Sequence, residues 1–347
     1  MRRNLYILLG LLAVVFAAGC SKLSDDEIPV PVQFLVSTID AKASIDSPDD
    51  LEGAAISVFA FDKEPKNILE DDGFNMRNAK ATYKKGQGLY FQNTRYYPMS
   101  GDAEFNFYSC YPVQGYTETE TDALAVVSVT SIRDVIWAKA DEVDGGYNAK
   151  YMREGGDLPI FKYKHKTARI LFEACVDITN TDVTLMHIGL LDQPTMAKLN
   201  VRTGEFDSYD EIYPRNLVRK IGNDDSGNLD LKLTTEYQKA CQPVFICPEY
   251  SDGLEADIGV LIGGNAEVKW FRVNLDSENK GFIEGHSYTI KIIVKAPSDI
   301  SFVVKKETSD DESTQQPVLD FDGPSDPDNP DDTDSDGYQW ENVFGEY

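Results

Sequence analysis

The sequence is poor in the side chains that carry most enzymatic chemistry. Its 347 residues hold three histidines, His165, His187 and His286, far apart along the chain, and five cysteines. No His-Glu-x-x-His pair, Gly-x-Ser-x-Gly turn, phosphate loop or dinucleotide glycine pattern occurs, so zinc hydrolysis, serine nucleophiles and nucleotide chemistry lack a local signature. The histidines read as packing or hydrogen-bonded residues of strands. Cys241 and Cys247 have no histidine near them in sequence, which removes the usual zinc spacing. Asp332 to Gly337 matches the first half of a calcium loop, but Val343 stands where the closing Glu is needed. No catalytic residue, metal ligand or cofactor is expected.

Positive charge is also scarce. There are 33 Lys and Arg against 59 Asp and Glu, for a net charge of −26. No Lys or Arg lies between Glu307 and Tyr347, a stretch with 14 acidic residues, and no Arg lies between Arg3 and Arg77. Such a balance repels nucleic acid and anionic lipid and favours solubility. Long apolar runs are absent except for Leu5 to Ala18, which follows Arg2 and Arg3 and ends in Ala17-Ala18-Gly19-Cys20. That run is too short for a stable membrane span and reads as a secretory signal. The cysteine at the cut makes it similar to a lipobox, although Ala17 stands where Leu is usual. Acylation of Cys20 would bury many CH₂ groups, each worth about 0.8 kcal/mol, and anchor the chain to a membrane. Ser24-Asp25-Asp26-Glu27 resembles the acidic export tag of Bacteroidetes surface lipoproteins. The remaining cysteines, Cys110, Cys175, Cys241 and Cys247, allow three pairings. Their placement in apolar runs equally suits buried thiols.

No window sustains a long amphipathic helix. Short strand-like runs do recur: 28–39 as an extended edge-type segment, Ile56 to Phe61, Phe105 to Tyr111, Leu124 to Val129 and Val135 to Ala138. A second series includes 168–174, Val183 to Leu191, Leu229 to Leu233, Val244 to Cys247, Ile258 to Ile262, Val268 to Leu275 and Tyr288 to Lys295. Gly145 to Gly156 reads as a polar loop. The alternation in Phe105-Asn106-Phe107-Tyr108-Ser109-Cys110-Tyr111 puts Phe105, Phe107 and Tyr111 on one face. Many short strands with Gly, Asn and Asp turns predict an all-β chain of two tandem β-sandwich domains. The expected divisions are a signal peptide at 1–19, a lipidated linker at 20–50, sandwiches at 51–163 and 164–306, and an acidic disordered tail at 307–347. Tyr147, Tyr151, Trp137 and Trp270 read as core aromatics, with stacking on sugars as the alternative.

The order of several pieces resembles the fimbrillin family, the subunits of Bacteroidetes type V pili. The pieces are the lipobox, Leu51 to Phe61, Tyr96-Tyr97-Pro98, Phe107 to Pro112, Asp134 to Ala138, Lys164 to Ile170 and Gly285 to Ile290. The resemblance spans roughly residues 1 to 300. It implies two transthyretin-like, Greek-key sandwiches, surface export, adhesion rather than catalysis, and assembly with other fimbrial subunits by donor-strand exchange. In the family a cut after a basic residue removes the first strand and opens a groove. Here Lys42 is the only basic residue of its loop, so it is the candidate processing site and stands where Arg is usual. The resemblance therefore points to a tip or accessory subunit of a fimbrium, acting in adhesion and biofilm formation and meeting a host or bacterial surface receptor. The alternative is a surface glycan-binding lipoprotein of a nutrient-uptake system.

Overall fold

The computed structural model describes residues 28–39, 48–63, 76–99, 103–129, 133–177, 181–209, 217–218, 230–263, 267–276, 281–296 and 299–307. The calls on Cys20, on Ser24 to Glu27, on Lys42 and on the tail from 308 onward lie outside these residues. The chain is all-β, as expected, with a single α-helix among the described residues, Ala149–Arg153 (α1), inside the stretch expected to be a loop. Asn148 caps that helix by accepting from the Tyr151 amide.

The first half is built on nine strands: β1 Leu35–Ile39, β2 Ala55–Asp62, β3 Ala79–Lys84, β4 Gly88–Phe91, β5 Phe105–Tyr111, β6 Gly115–Glu118, β7 Ala123–Ser128, β8 Ile136–Lys139 and β9 Ile160–His165. Seven form one sheet in the order β1-β9-β8-β5-β2-β3-β4. Both faces of this sheet are covered, which is why β2 is buried without interruption from Ile56 to Phe61. Ile56, Val58 and Ala60 enter one core with Phe34, Phe107, Phe161 and Tyr163. Phe59 and Phe61 enter another with Tyr108, Cys110, Ala125 and Val127. The alternation read for β5 holds: Phe105 and Phe107 lie in the first core with Tyr111 packed against it, while Tyr108 and Cys110 lie in the second.

The second half begins with β10 Ala168–Val176 and β11 Val183–Leu190. The next hairpin, β12 Met196–Asn200 and β13 Phe206–Tyr209, returns to the first half. β12 pairs with β7, from Met196 opposite Ser128 to Asn200 opposite Leu124, and completes a four-stranded sheet β13-β12-β7-β6. Thus Ala197, Leu199 and Val201 pack on Phe59 and Phe61, although they follow position 164. The indole of Trp137 donates to the Val201 carbonyl at 2.7 Å. Gly204, at φ +77, lies so close that a Cβ would stand 2.6 Å from the Trp137 ring.

The remaining strands are β14 Leu217–Val218, β15 Leu231–Lys232, β16 Gln238–Lys239, β17 Val244–Ile246, β18 Glu255–Ile262, β19 Lys269–Asn274, β20 Ser287–Ala296 and β21 Asp299–Glu307. One sheet runs β16-β10-β20-β21 with β17 beside β10, and the other runs β14-β11-β18-β19 with β15 beside β11. Ile170, Phe172, Ile290 and Ile292 from the first face Leu185, Ile188, Ile258 and Val260 from the second in one core. β21 is a finding that the sequence pattern did not give. It pairs with β20 from Ser287 opposite Glu307 to Ala296 opposite Asp299, at the edge of its sheet.

Candidate assembly site

Segment 28–39 holds the most telling geometry. It was expected to be an extended edge-type segment with prolines at its start. β1 is indeed the end strand of its sheet, and the residues just before it bond the strand at the other end. β1 runs parallel to β9, with Leu35 opposite Ile160, and the Leu35 amide donates to the Pro159 carbonyl at 3.0 Å. One residue earlier, the Phe34 carbonyl accepts from the Leu89 amide of β4 at 3.1 Å. Further back, the Val32 amide donates to Arg95 at 2.8 Å, and the Tyr97 amide donates to Val30 at 2.9 Å. Consecutive residues therefore bond opposite ends of the seven-stranded sheet, and the segment closes it. Pro31 is tolerated because its neighbours, not Pro31, supply the bonds.

Two sequence features make the closure fit. Val32 and Phe34 alternate with exposed Pro31 and Gln33, so the apolar side faces the core. Phe34 is 1% exposed and packs on Phe107, Phe161 and Phe91, at ring separations of 4.9, 5.0 and 6.1 Å. Opposite it stands Gly88, at φ +90, where a Cβ would fall 2.0 Å from the Phe34 carbonyl oxygen. Only glycine lets the two backbones approach this closely. Gly88 was a readable signal in the sequence, but nothing local tied it to a segment some fifty residues earlier.

The surface around the closure carries several exposed apolar side chains. Ile28, Leu35, Tyr90, Tyr96 and Met99 are each at least 39% exposed, and all lie on the segment or on the 88–99 stretch beside it. A cleft of about 210 Å³ opens there, lined by Val32, Phe34, Leu89, Phe91 and Leu158 among others. Clustered exposed apolar side chains of this kind mark contact surfaces.

Elsewhere, the structure assigns the other singled-out residues to structural roles. His165 is buried, with Nδ1 bonded to Asp134, whose other oxygen accepts from the Thr167 hydroxyl at 2.6 Å. Beside it, buried Lys166 pairs with Glu284 at 2.6 Å, so the turn between β9 and β10 is tied to the turn before β20. His286 donates from Nδ1 to its neighbour Glu284's carbonyl at 2.9 Å. Cys110, Cys175, Cys241 and Cys247 are all buried thiols, and none is in a disulfide. Burial pushes the Cys110 thiol up to about 12, despite the opposing pull of Lys80. Tyr147 is buried and Tyr151 packs against the same core. Trp270 departs from the expected core role: it is 54% exposed. No group of three or more His, Cys, Asp or Glu suited to a metal occurs among the described residues, and no described helix is long and apolar enough to cross a membrane.

A profile of fimbrillin-like proteins matches residues 47–311. The chain belongs to the fimbrillin-like family. This fimbrillin-like chain also resembles solved structures. A candidate cell adhesion protein from Bacteroides uniformis ATCC 8492 is 17% identical, with a TM-score of 0.50 over 80% of this chain and 97% of that one. A second, from Bacteroides ovatus ATCC 8483, is 14% identical, with a TM-score of 0.49 over 81% and 97%. The fimbrial anchor protein Mfa2 from Porphyromonas gingivalis is 12% identical, with a TM-score of 0.38 over 85% and 100%. No curated protein matches the sequence.

Proposed function

We propose that this fimbrillin-like chain is an adhesive subunit of a cell-surface fimbrium, a tip or accessory part rather than the shaft, acting in cell adhesion and biofilm formation. It is held at the outer membrane by lipid on Cys20 and carried to the surface by the tag at Ser24 to Glu27. Its partners are other fimbrial subunits, joined by donor-strand exchange, and a receptor on a host or bacterial surface.

The observation that supports this most is the closing segment. Removing 28–39 would strip the Leu89 amide and the Pro159 carbonyl of their partners and uncover Phe91, Phe107 and Phe161. The result is an apolar groove flanked by unpaired backbone, which an extended segment of another subunit can fill. Lys42 follows β1 by three residues, so a cut there frees the whole segment from the rest of the chain.

Digestion of the purified protein with a lysine-specific protease tests the reading, with mass spectrometry to place the cut and light scattering to follow mass. Cleavage after Lys42, with a product that stays monomeric alone but joins filaments of a second fimbrial subunit, is expected. Filaments of the digested protein alone would make it a shaft subunit. A Lys42 bond that resists the protease, or a cut product that joins nothing, would remove the groove reading.

A further inference from the structure

We propose that the outer face of β18 and β19, centred on Trp270, is a binding site for neutral carbohydrate, with the indole stacking on a pyranose ring. Trp270 is more exposed than any other large hydrophobic side chain among the described residues, at 54%. It is nevertheless held in place. In the β18–β19 pairing it stands opposite Gly259, where a Cβ would lie 3.1 Å from the Trp270 ring and 3.1 Å from the Cβ of His187. A glycine inside a strand weakens it, and often marks a close approach. Here it leaves room for the indole to lie against the sheet. His187 of β11 then meets the ring edge-on, with centroids 4.9 Å apart and planes at 69°. The indole is thus a fixed platform with much of its surface open to solvent.

The neighbouring groups decide what it suits. Two residues along the same face, Arg272 and Asp257 are opposite each other and bonded twice, Nε to Oδ1 at 3.0 Å and Nη2 to Oδ2 at 3.3 Å. Their charges cancel, so this pair offers neither a phosphate nor an ammonium group an uncompensated opposite charge. Exposed Glu255 lies further along the same face of β18, beyond Asp257, while Lys269 alternates to the other face of its strand. A protein-docking patch would be a large contiguous apolar surface; here the apolar surface is the indole with half-buried Val268 beside it, and the Arg272–Asp257 pair lies two residues along on the same face. Burial lowers the pKa of His187, against a smaller opposing effect of Asp257, which leaves the imidazole neutral near pH 7. A flat apolar face beside paired, neutralised polar groups matches a sugar, whose C–H face is apolar and whose rim carries hydroxyls. The site lies on a different sheet from the closing segment and does not depend on the assembly reading.

Affinity electrophoresis of the purified protein through gels holding dextran, galactomannan or xylan, with heparin as the anionic control, tests the proposal. At least one neutral polysaccharide should retard the protein and heparin should not. Trp270→Ala should weaken that retardation about tenfold or more, with the far-UV circular dichroism spectrum and cooperative unfolding retained. Trp270→Phe, which keeps a smaller ring, should retain part of it. Gly259→Val, which displaces the ring, should weaken it as well. Failure of all three polysaccharides to retard the protein, or equal retardation of Trp270→Ala, would overturn the proposal. So would a Trp270→Ala protein that binds polysaccharide normally but no longer joins a second fimbrial subunit, since the face would then be a protein contact. Neither result touches the outcome of the Lys42 digestion.

Discussion

Phe34→Ala is the sharpest probe of the closing segment. Phe34 is 1% exposed and its ring touches three other aromatic rings. Truncating such a phenylalanine costs about 3–5 kcal/mol, from lost transfer energy and the cavity left behind. Apart from Val32, the other side chains described on the segment are partly or fully exposed, so most of its burial rests on this ring. The cost should therefore fall on local opening of 28–39 rather than on the whole chain. At about 1.4 kcal/mol per factor of ten, opening becomes roughly a hundredfold to a few thousandfold more frequent. Native-state hydrogen exchange reads this directly. The amides of Val32, Leu35 and Leu89, bonded across the closure, should exchange faster by that factor. Amides of β10, such as those of Ile170 and Phe172, should change little. Unchanged exchange at Val32, Leu35 and Leu89 would refute the idea that Phe34 holds the closure. Equal acceleration at Ile170 would show that the segment does not open as a unit of its own.

Two further outcomes follow from buried polar groups. Asp134→Ala should cost about 3–5 kcal/mol in denaturant unfolding, because it strands the buried His165 ring and the Thr167 hydroxyl; a cost below about 1 kcal/mol, the range of an exposed pair, would mean the carboxylate does not organise that turn. Stability should fall as pH rises from about 9 towards about 12, because burial holds the Cys110 proton in the folded state and raises the pKa of Tyr163 too, while the unfolded chain releases those protons; a denaturation midpoint that stays flat over pH 9 to 11 would contradict this.

How much could be read beforehand follows from how local each cause is. The alternation in β5 and the apolar run of β2 were legible because pleating assigns alternate residues to opposite faces within one strand. β21 was not: Lys305 and Lys306 and the acidic stretch beyond look like the start of a solvated tail, yet backbone pairing with β20 carries the strand to Glu307. Edge strands can keep charged residues because one side faces water. The closure by 28–39 was hidden for a different reason. The alternation of Val32 and Phe34 predicts an extended segment, but its second neighbour, Gly88, is remote in sequence and reveals its role only through a 2.0 Å approach. Trp270 was read as core, but Phe271 and Val273 take the core face of β19, so alternation turns Trp270 outward, and Gly259 opposite it gives the indole room to lie against the sheet.

The return of β12 and β13 to β7 also sets the order in which the molecule is finished. A ribosome that has released His165 has delivered every strand of the seven-stranded sheet. The far side of Phe59 and Phe61 still lacks Ala197, Leu199 and Val201. That surface stays incompletely covered until Tyr209 has emerged, well after the last strand of the seven-stranded sheet. Pairings between such distant stretches of chain form slowly. In the interval the half-covered layer round Phe59 and Phe61, packed on Tyr108, Tyr116, Ala125 and Val127, is the sticky place on the nascent protein, where a chaperone has a reason to bind.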